Sequence, residues 1–162
     1  MYAALQAICA ILTGVAMSLS LAHALELPGK LRLSREEYLI VQPIYYPGFT
    51  YAGVAEPLAI LFLATLLALT PVATPGFWII GGALVAATLT HVAYWTLTAP
   101  PNRYWLRTTK LSAAAKRFFD AGTAVDHSDW KSMRDRWERS HILRAATATA
   151  AFVLVVMSLV AR

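Results

Sequence analysis

Charge and cysteine are what this chain has least of. Only 14% of its 162 residues are charged, where about 25% is usual for a soluble domain. The stretch from Tyr2 to Leu25 carries no Lys, Arg, Asp or Glu. The single cysteine, Cys9, lies inside that stretch, which excludes an intramolecular disulfide and any Cys-x-x-Cys redox pair. Glycine loops of the kind that cradle phosphate are absent, and so is a haem attachment motif. The acids lack a matching Ser and His constellation, so a Ser-His-Asp hydrolase is excluded too. There is no tandem repeat and no low-complexity linker.

What fills the chain instead is apolar: 58% of residues are hydrophobic and the mean hydropathy is +0.54. Four runs stand out, Tyr2 to Leu25, Pro57 to Val72, Phe77 to Ala99 and Leu143 to Ala161. Each approaches or exceeds the ~20 residues needed to cross a bilayer, the second if it starts near Tyr51. Four such runs in a chain of one-domain length argue against a soluble bundle. The expectation is a single all-α domain over 1–162, an integral membrane four-transmembrane-helix bundle. Its spans fall at about 2–26, 53–72, 77–99 and 141–161. Ala22-His23-Ala24 has the form of a signal cleavage site, but no basic residue precedes the run and it exceeds an h-region in length. It reads as a span.

The basic residues give the bundle a direction. Lys30, Arg32 and Arg35 follow the first run, and all the others but Arg162 lie from Arg103 to Arg144. The connection from Thr70 to Gly76 has none. By the positive-inside rule the first and third loops are cytoplasmic and both termini lie outside, an arrangement for a bacterial inner membrane. The net charge of +5 then reads as topology and contact with the lipid bilayer rather than nucleic-acid binding.

Between the runs, Leu27-Pro28-Gly29 is expected to end the first helix, and Ser34 to start a short one with Glu36 and Glu37 in its first turn. Tyr38 to Tyr51 is rich in Tyr, Pro and Phe. It suits an interfacial segment after helix 1, with a lid folded over the bundle mouth as the other reading. Pro57 fits the first position of the second span, Pro71 to Gly76 an external turn, and Pro100-Pro101 the end of the third span. Gly82/Ala86, Ala83/Ala87 and the alanines from Ala145 to Ala151 permit close helix contact. A helical cytoplasmic loop is expected over 100–140. Its first helix would be capped by Ser112, carry Phe118 and Phe119 and end at Gly122. Its second would be capped by Asp126 or Ser128 and run on into the fourth span. Trp130, Arg134, Trp137, His141 and Arg144 share one stripe of that second helix.

The ionisable residues of the runs gather at one end. At 1.5 Å per residue, His91 lies about 12 Å inside Ala99 and His23 about 6 Å inside Leu27. Glu26, Glu56, His141 and Arg144 lie near the same boundary. Ionisable side chains at membrane depth usually face the bundle interior and mark a site. His23, Glu26, Glu56, His91 and His141 could ligate iron, copper or zinc, and His23, His91 or His141 could hold haem. The plainer reading pairs Glu26, Glu56 and Arg144 with one another, satisfies His23 and His91 from neighbouring helices and leaves His141 solvated. Asn102, eleven residues after His91, joins Arg103, His141 and Arg144 in a polar mouth that suits a lipophilic aromatic small molecule. Arg103 and Arg144 serve equally as inside anchors. A non-enzymatic scaffold, assembly partner or transporter subunit is the alternative, drawn from the small-residue faces and the tryptophan stripe, which suit a homo-oligomer or partner protein.

Four segments carry a resemblance. They are Ala22-His23-Ala24-Leu25-Glu26-Leu27-Pro28-Gly29-Lys30-Leu31, Gln42-Pro43-Ile44-Tyr45, Pro101-Asn102-Arg103 and Trp137-Glu138-Arg139-Ser140-His141-Ile142-Leu143-Arg144. In order and spacing they resemble a bacterial and fungal membrane-protein family of largely unknown function, some members of which are anthrone oxygenases. The resemblance covers most of the chain and agrees with four spans. It implies an oxidoreductase or oxygenase acting on an anthrone- or quinone-like molecule. His91 or His141 would be the base, and Arg144 or Asn102 would stabilise the enolate.

Overall fold

With few helix breakers inside them, the apolar runs form long helices. A computed structural model describes residues 1–105 and 130–161, and every regular element among them is helical. Helix α1 spans Tyr2–Lys30, α2 Arg35–Val41, α3 Gly48–Ala52, α4 Ala55–Ala68 and α5 Pro75–Ala93. A 3-10 turn at Gln42–Tyr45 follows α2, and a π turn at Tyr94–Thr98 carries α5 into α6, Ala99–Trp105. Helix α7 is Trp130–Val160. Among the described residues, four segments are long and apolar enough to cross a membrane: Tyr2–Lys30, Gly48–Ala68, Pro75–Trp105 and Trp130–Val160. The helix expected from Ser112 to Gly122 and the caps at Asp126 and Ser128 lie outside the described residues.

Two expected stops are overridden. Pro28 does not end α1, which runs on to Lys30. The extra turn is held by a Leu31 N–H to Leu27 carbonyl bond of 3.0 Å and by a 2.7 Å ion pair from Lys30 to Glu26, one turn back. Pro100 and Pro101 do not end the third span either. The π turn ahead of them bonds Ala99 N–H to the Tyr94 carbonyl, five residues back. Proline at 100 cannot donate to the Thr96 carbonyl, and Arg136 of α7 donates to it instead at 2.6 Å. A third adjustment is small: Pro57 is the third residue of α4, not the first. Helix α2 forms as expected, with Ser34 and Glu37 exchanging both bonds of a capping box. Those bonds hold the exposed Glu37 carboxyl below its usual range.

Helix α1 packs on α4 and α7, and α5 packs on the same two, closing a ring of four. The core of the ring is built from Cys9, Leu63, Leu66, Ile80, Ala83, Ala86, Ala87, Ala151 and Val155. The small residues do the close work. A Cβ at Gly82 would stand 3.3 Å from the Leu154 side chain, and Thr90 of α5 donates to Thr147 of α7 at 2.8 Å. A second core of Tyr38, Trp105 and Trp137 lies where α2, α6 and the start of α7 meet. Outward, Ile11, Leu25, Leu61, Trp78 and Val85 are each more than half exposed. Helices apolar on every side suit a surrounding as apolar as their core.

Candidate functional site

The site forms at one end of the ring, where Leu19, Ser20 and His23 of α1 meet the opening of α4, the α5–α6 stretch that runs on past Pro100 to Asn102 and Trp105, and Trp137, His141 and Arg144 of α7. They enclose a cavity of about 570 Å³, within the usual range for small-molecule sites. The segment from Gln42 to Val54 folds back over it, so Gln42, Tyr45, Phe49 and Tyr51 line the same space. This is the lid arrangement, not a segment lying apart from the bundle. The Tyr45 and Phe49 rings sit 4.5 and 4.7 Å from that of His23.

Six of the eight residues singled out in the sequence line this cavity: His23, Glu56, His91, Asn102, His141 and Arg144. Arg103 does not, and neither does Glu26. It lies behind the lid, where its carboxylate accepts from the Tyr45 hydroxyl at 2.6 Å and pairs with Lys30. His141 is not solvated; it is 2% exposed. The tryptophan stripe likewise turns inward, and Trp137 donates its indole N–H to Asn102 at 2.7 Å.

At the centre is a buried ion pair. Arg144 donates to Oε1 of Glu56, and Oε2 of Glu56 faces Nδ1 of His91 at 3.3 Å. Trp95 donates its indole N–H to Nε2 of His91 at 3.0 Å. An indole only donates, so Nε2 is the accepting nitrogen and the ring proton sits on Nδ1, toward Glu56. The same logic fixes His141. Its Nδ1 lies 3.0 Å from the Trp137 carbonyl, which only accepts, and its Nε2 lies 3.5 Å from an Arg144 nitrogen, which only donates. Arg144 thus bridges Glu56 and His141 and also lies 5.1 Å from the Tyr94 ring.

Among the described residues no three His, Cys, Asp or Glu side chains gather as a metal cage. The five expected ligands divide instead. Glu56 and His91 are taken up with Arg144 and Trp95, while Glu26 is taken up with Lys30 and Tyr45. The His23 and His141 rings touch edge to face, 4.3 Å between centroids, so they do not bracket a porphyrin.

Sequence reasoning missed the aromatic wall and its supports. Lys30 is 4% exposed and lies over both the Tyr45 and Trp137 rings, at 4.7 and 4.4 Å. Tyr38 donates to the buried Glu138 at 2.8 Å. Burial and the Glu138 carboxylate raise the Tyr38 phenol well above its ordinary range. Burial and the bond to Glu26 do the same for Tyr45. The sequence signals for these residues were the Tyr, Pro and Phe cluster from Tyr38 to Tyr51, the tryptophan stripe, and the resemblance segments that hold Lys30, Tyr45, Trp137 and Glu138.

No family model matches the chain, and no curated protein or solved structure is significantly similar to it.

Proposed function

We propose that the chain is an integral membrane oxygenase acting on a lipophilic aromatic molecule with an activated methylene, of the anthrone type. The observation that carries this reading is one cavity lined by His23, Glu56, His91, Asn102, His141 and Arg144 and otherwise walled by aromatic rings. The resemblance to anthrone oxygenases supports it. So do the apolar exteriors of the four long helices, which suit a membrane setting; with the basic loops on the cytoplasmic side, the reading puts the cavity in the inner half of the bilayer. The scaffold alternative draws on small-residue faces and a tryptophan stripe; Ala83, Ala86, Ala87, Ala151 and Trp137 pack within the chain itself, while Ala146 and Ala150 stay exposed.

The reaction converts a CH2 between aromatic rings to C=O, with O2 consumed and H2O released. Carbon gives up four electrons and dioxygen takes four, so no further reductant is needed. An imidazole nitrogen takes the first C–H proton, and the electron pair delocalises onto the ring carbonyl as an enolate. Arg144, fixed by Glu56, stabilises that negative charge in a site shielded from water. The carbanion then reduces dioxygen and forms a C–O bond. Loss of the second C–H proton breaks the O–O bond, and the departing hydroxide is protonated to water.

The test is oxygen uptake and quinone formation from anthrone, with the full chain in lipid nanodiscs and empty nanodiscs as background. Turnover above background is expected, falling by about 10²–10³ in Arg144→Met if the guanidinium stabilises the enolate. A rate equal to that of empty nanodiscs removes the reading.

A further inference from the structure

The three imidazoles of the cavity differ in what their nitrogens already do. His141 is spent on the Trp137 carbonyl and Arg144, and His91 on Glu56 and Trp95. His23 has no hydrogen bond to any described residue, and its Nδ1 is fully buried without a partner. The residue is 6% exposed and boxed by the rings of Tyr45, Phe49, Trp137 and His141, all within 4.9 Å between centroids. Buried polar groups are almost always satisfied. Nδ1 turns to Glu26, 3.7 Å away, so it is Nε2, with no bond to a described residue in a side chain that lines the cavity, that points to a partner arriving with the ligand.

The surroundings of His23 are built for a proton. The Glu26 carboxylate lies 3.7 Å from Nδ1 and is itself held by Lys30 at 2.7 Å and the Tyr45 hydroxyl at 2.6 Å. This is a carboxylate oriented behind an imidazole, with Nε2 left for the cavity. The groups facing the ring are Glu26 and Lys30 on α1, Tyr45 on the lid, and His141 and Arg144 on α7.

We propose that His23 is the residue that exchanges a proton with the bound aromatic, with Glu26 as its positioning residue. This rests on the reading of the cavity as an aromatic-ligand site and moves the base from His91 and His141 to His23. In the step, a ligand O–H or activated C–H bond breaks and an N–H bond forms at Nε2. The electron pair stays on the ligand, beside Arg144, and the new imidazolium turns Nδ1–H toward Glu26. Neither His91 nor His141 can accept that proton without first giving up an existing bond.

A hydroxyanthraquinone dye reports the step directly, since its visible band shifts when the phenol ionises. The full chain in neutral phosphatidylcholine nanodiscs is expected to bind the dye and hold part of it as phenolate at neutral pH. Read at saturating dye, His23→Gln should lose the phenolate band by about tenfold or more. Glu26→Gln should weaken the band without abolishing it. A phenolate band in His23→Gln equal to the parent's overturns the proposal and leaves the cavity reading standing. Failure of the parent to bind the dye at all overturns both. Should the variant not fold, the 15N signal of His23 Nε2 in the parent serves instead. Dye binding should move it from the unprotonated to the protonated position, and an unmoved signal overturns the assignment.

Discussion

Arg144 and Glu56, 88 residues apart in the chain, form one buried ion pair that ties α7 to the first turn of α4. Removing one partner leaves the other charge uncompensated, which costs about 3–5 kcal/mol. Arg144→Met and Glu56→Gln should each lower the thermal midpoint in detergent sharply. The double variant should recover much of the loss, because neither side chain is left as a buried charge without its partner. Additive losses in the double variant would show that the two side chains do not act as a pair.

Trp95 caps the accepting nitrogen of His91. Trp95→Phe keeps a ring in the same place but removes the N–H. Carbethoxylation by diethylpyrocarbonate, which needs a free imidazole nitrogen, should modify His91 several-fold faster in the variant. Mass spectrometry of the modified peptide checks this; an unchanged rate would mean that the indole bond does not shield the ring.

The Tyr38 and Tyr45 phenols are held protonated by burial and by carboxylates that accept from them. Their folded pKa values lie above the unfolded value of about 10. The unfolded chain therefore binds fewer protons above that pH, and stability falls as pH rises further. The contribution of these bonds is fully present below about pH 10 and is lost as pH climbs toward the folded values. In an ultraviolet titration of the folded protein, both phenols should ionise late, and Tyr38→Phe with Tyr45→Phe should flatten the alkaline loss of stability.

Ala83 is fully buried where α5 meets the rest of the ring. Ala83→Leu forces the helices apart and should cost about 1–3 kcal/mol, read as a lower thermal midpoint. Val85→Leu, on an exposed face of the same helix, should change it little.

Depth along a helix was legible in the sequence because it depends only on residue count. That is why His23, Glu56, His91, Asn102, His141 and Arg144 could be grouped before their side chains were placed. The four long helices were legible for the same reason. Pro28 and Pro100 were misleading as stops, because a local rule ignores Lys30 reaching Glu26 and Arg136 reaching the Thr96 carbonyl. The lid was ambiguous, since Tyr45 and Phe49 have the composition of an interfacial anchor and only their contact with His23, a distant residue, distinguishes the two. His141 looked like a surface residue because the run preceding it is charged. Across the ring of helices it packs on His23 of α1, a contact its neighbours in sequence do not reveal.

The π turn at Tyr94–Thr98 has a consequence for inheritance. It holds one residue more than an α-helical turn would, and each residue of a helix advances the face by about 100°. Loss of a single codon there would close the turn to an ordinary α-helical one and leave Asn102 and Trp105 facing Trp137, because the wide turn absorbs the extra residue. The cavity wall would survive that smallest in-frame deletion, whereas the same deletion in a regular turn of α5 would rotate everything beyond it by about 100°.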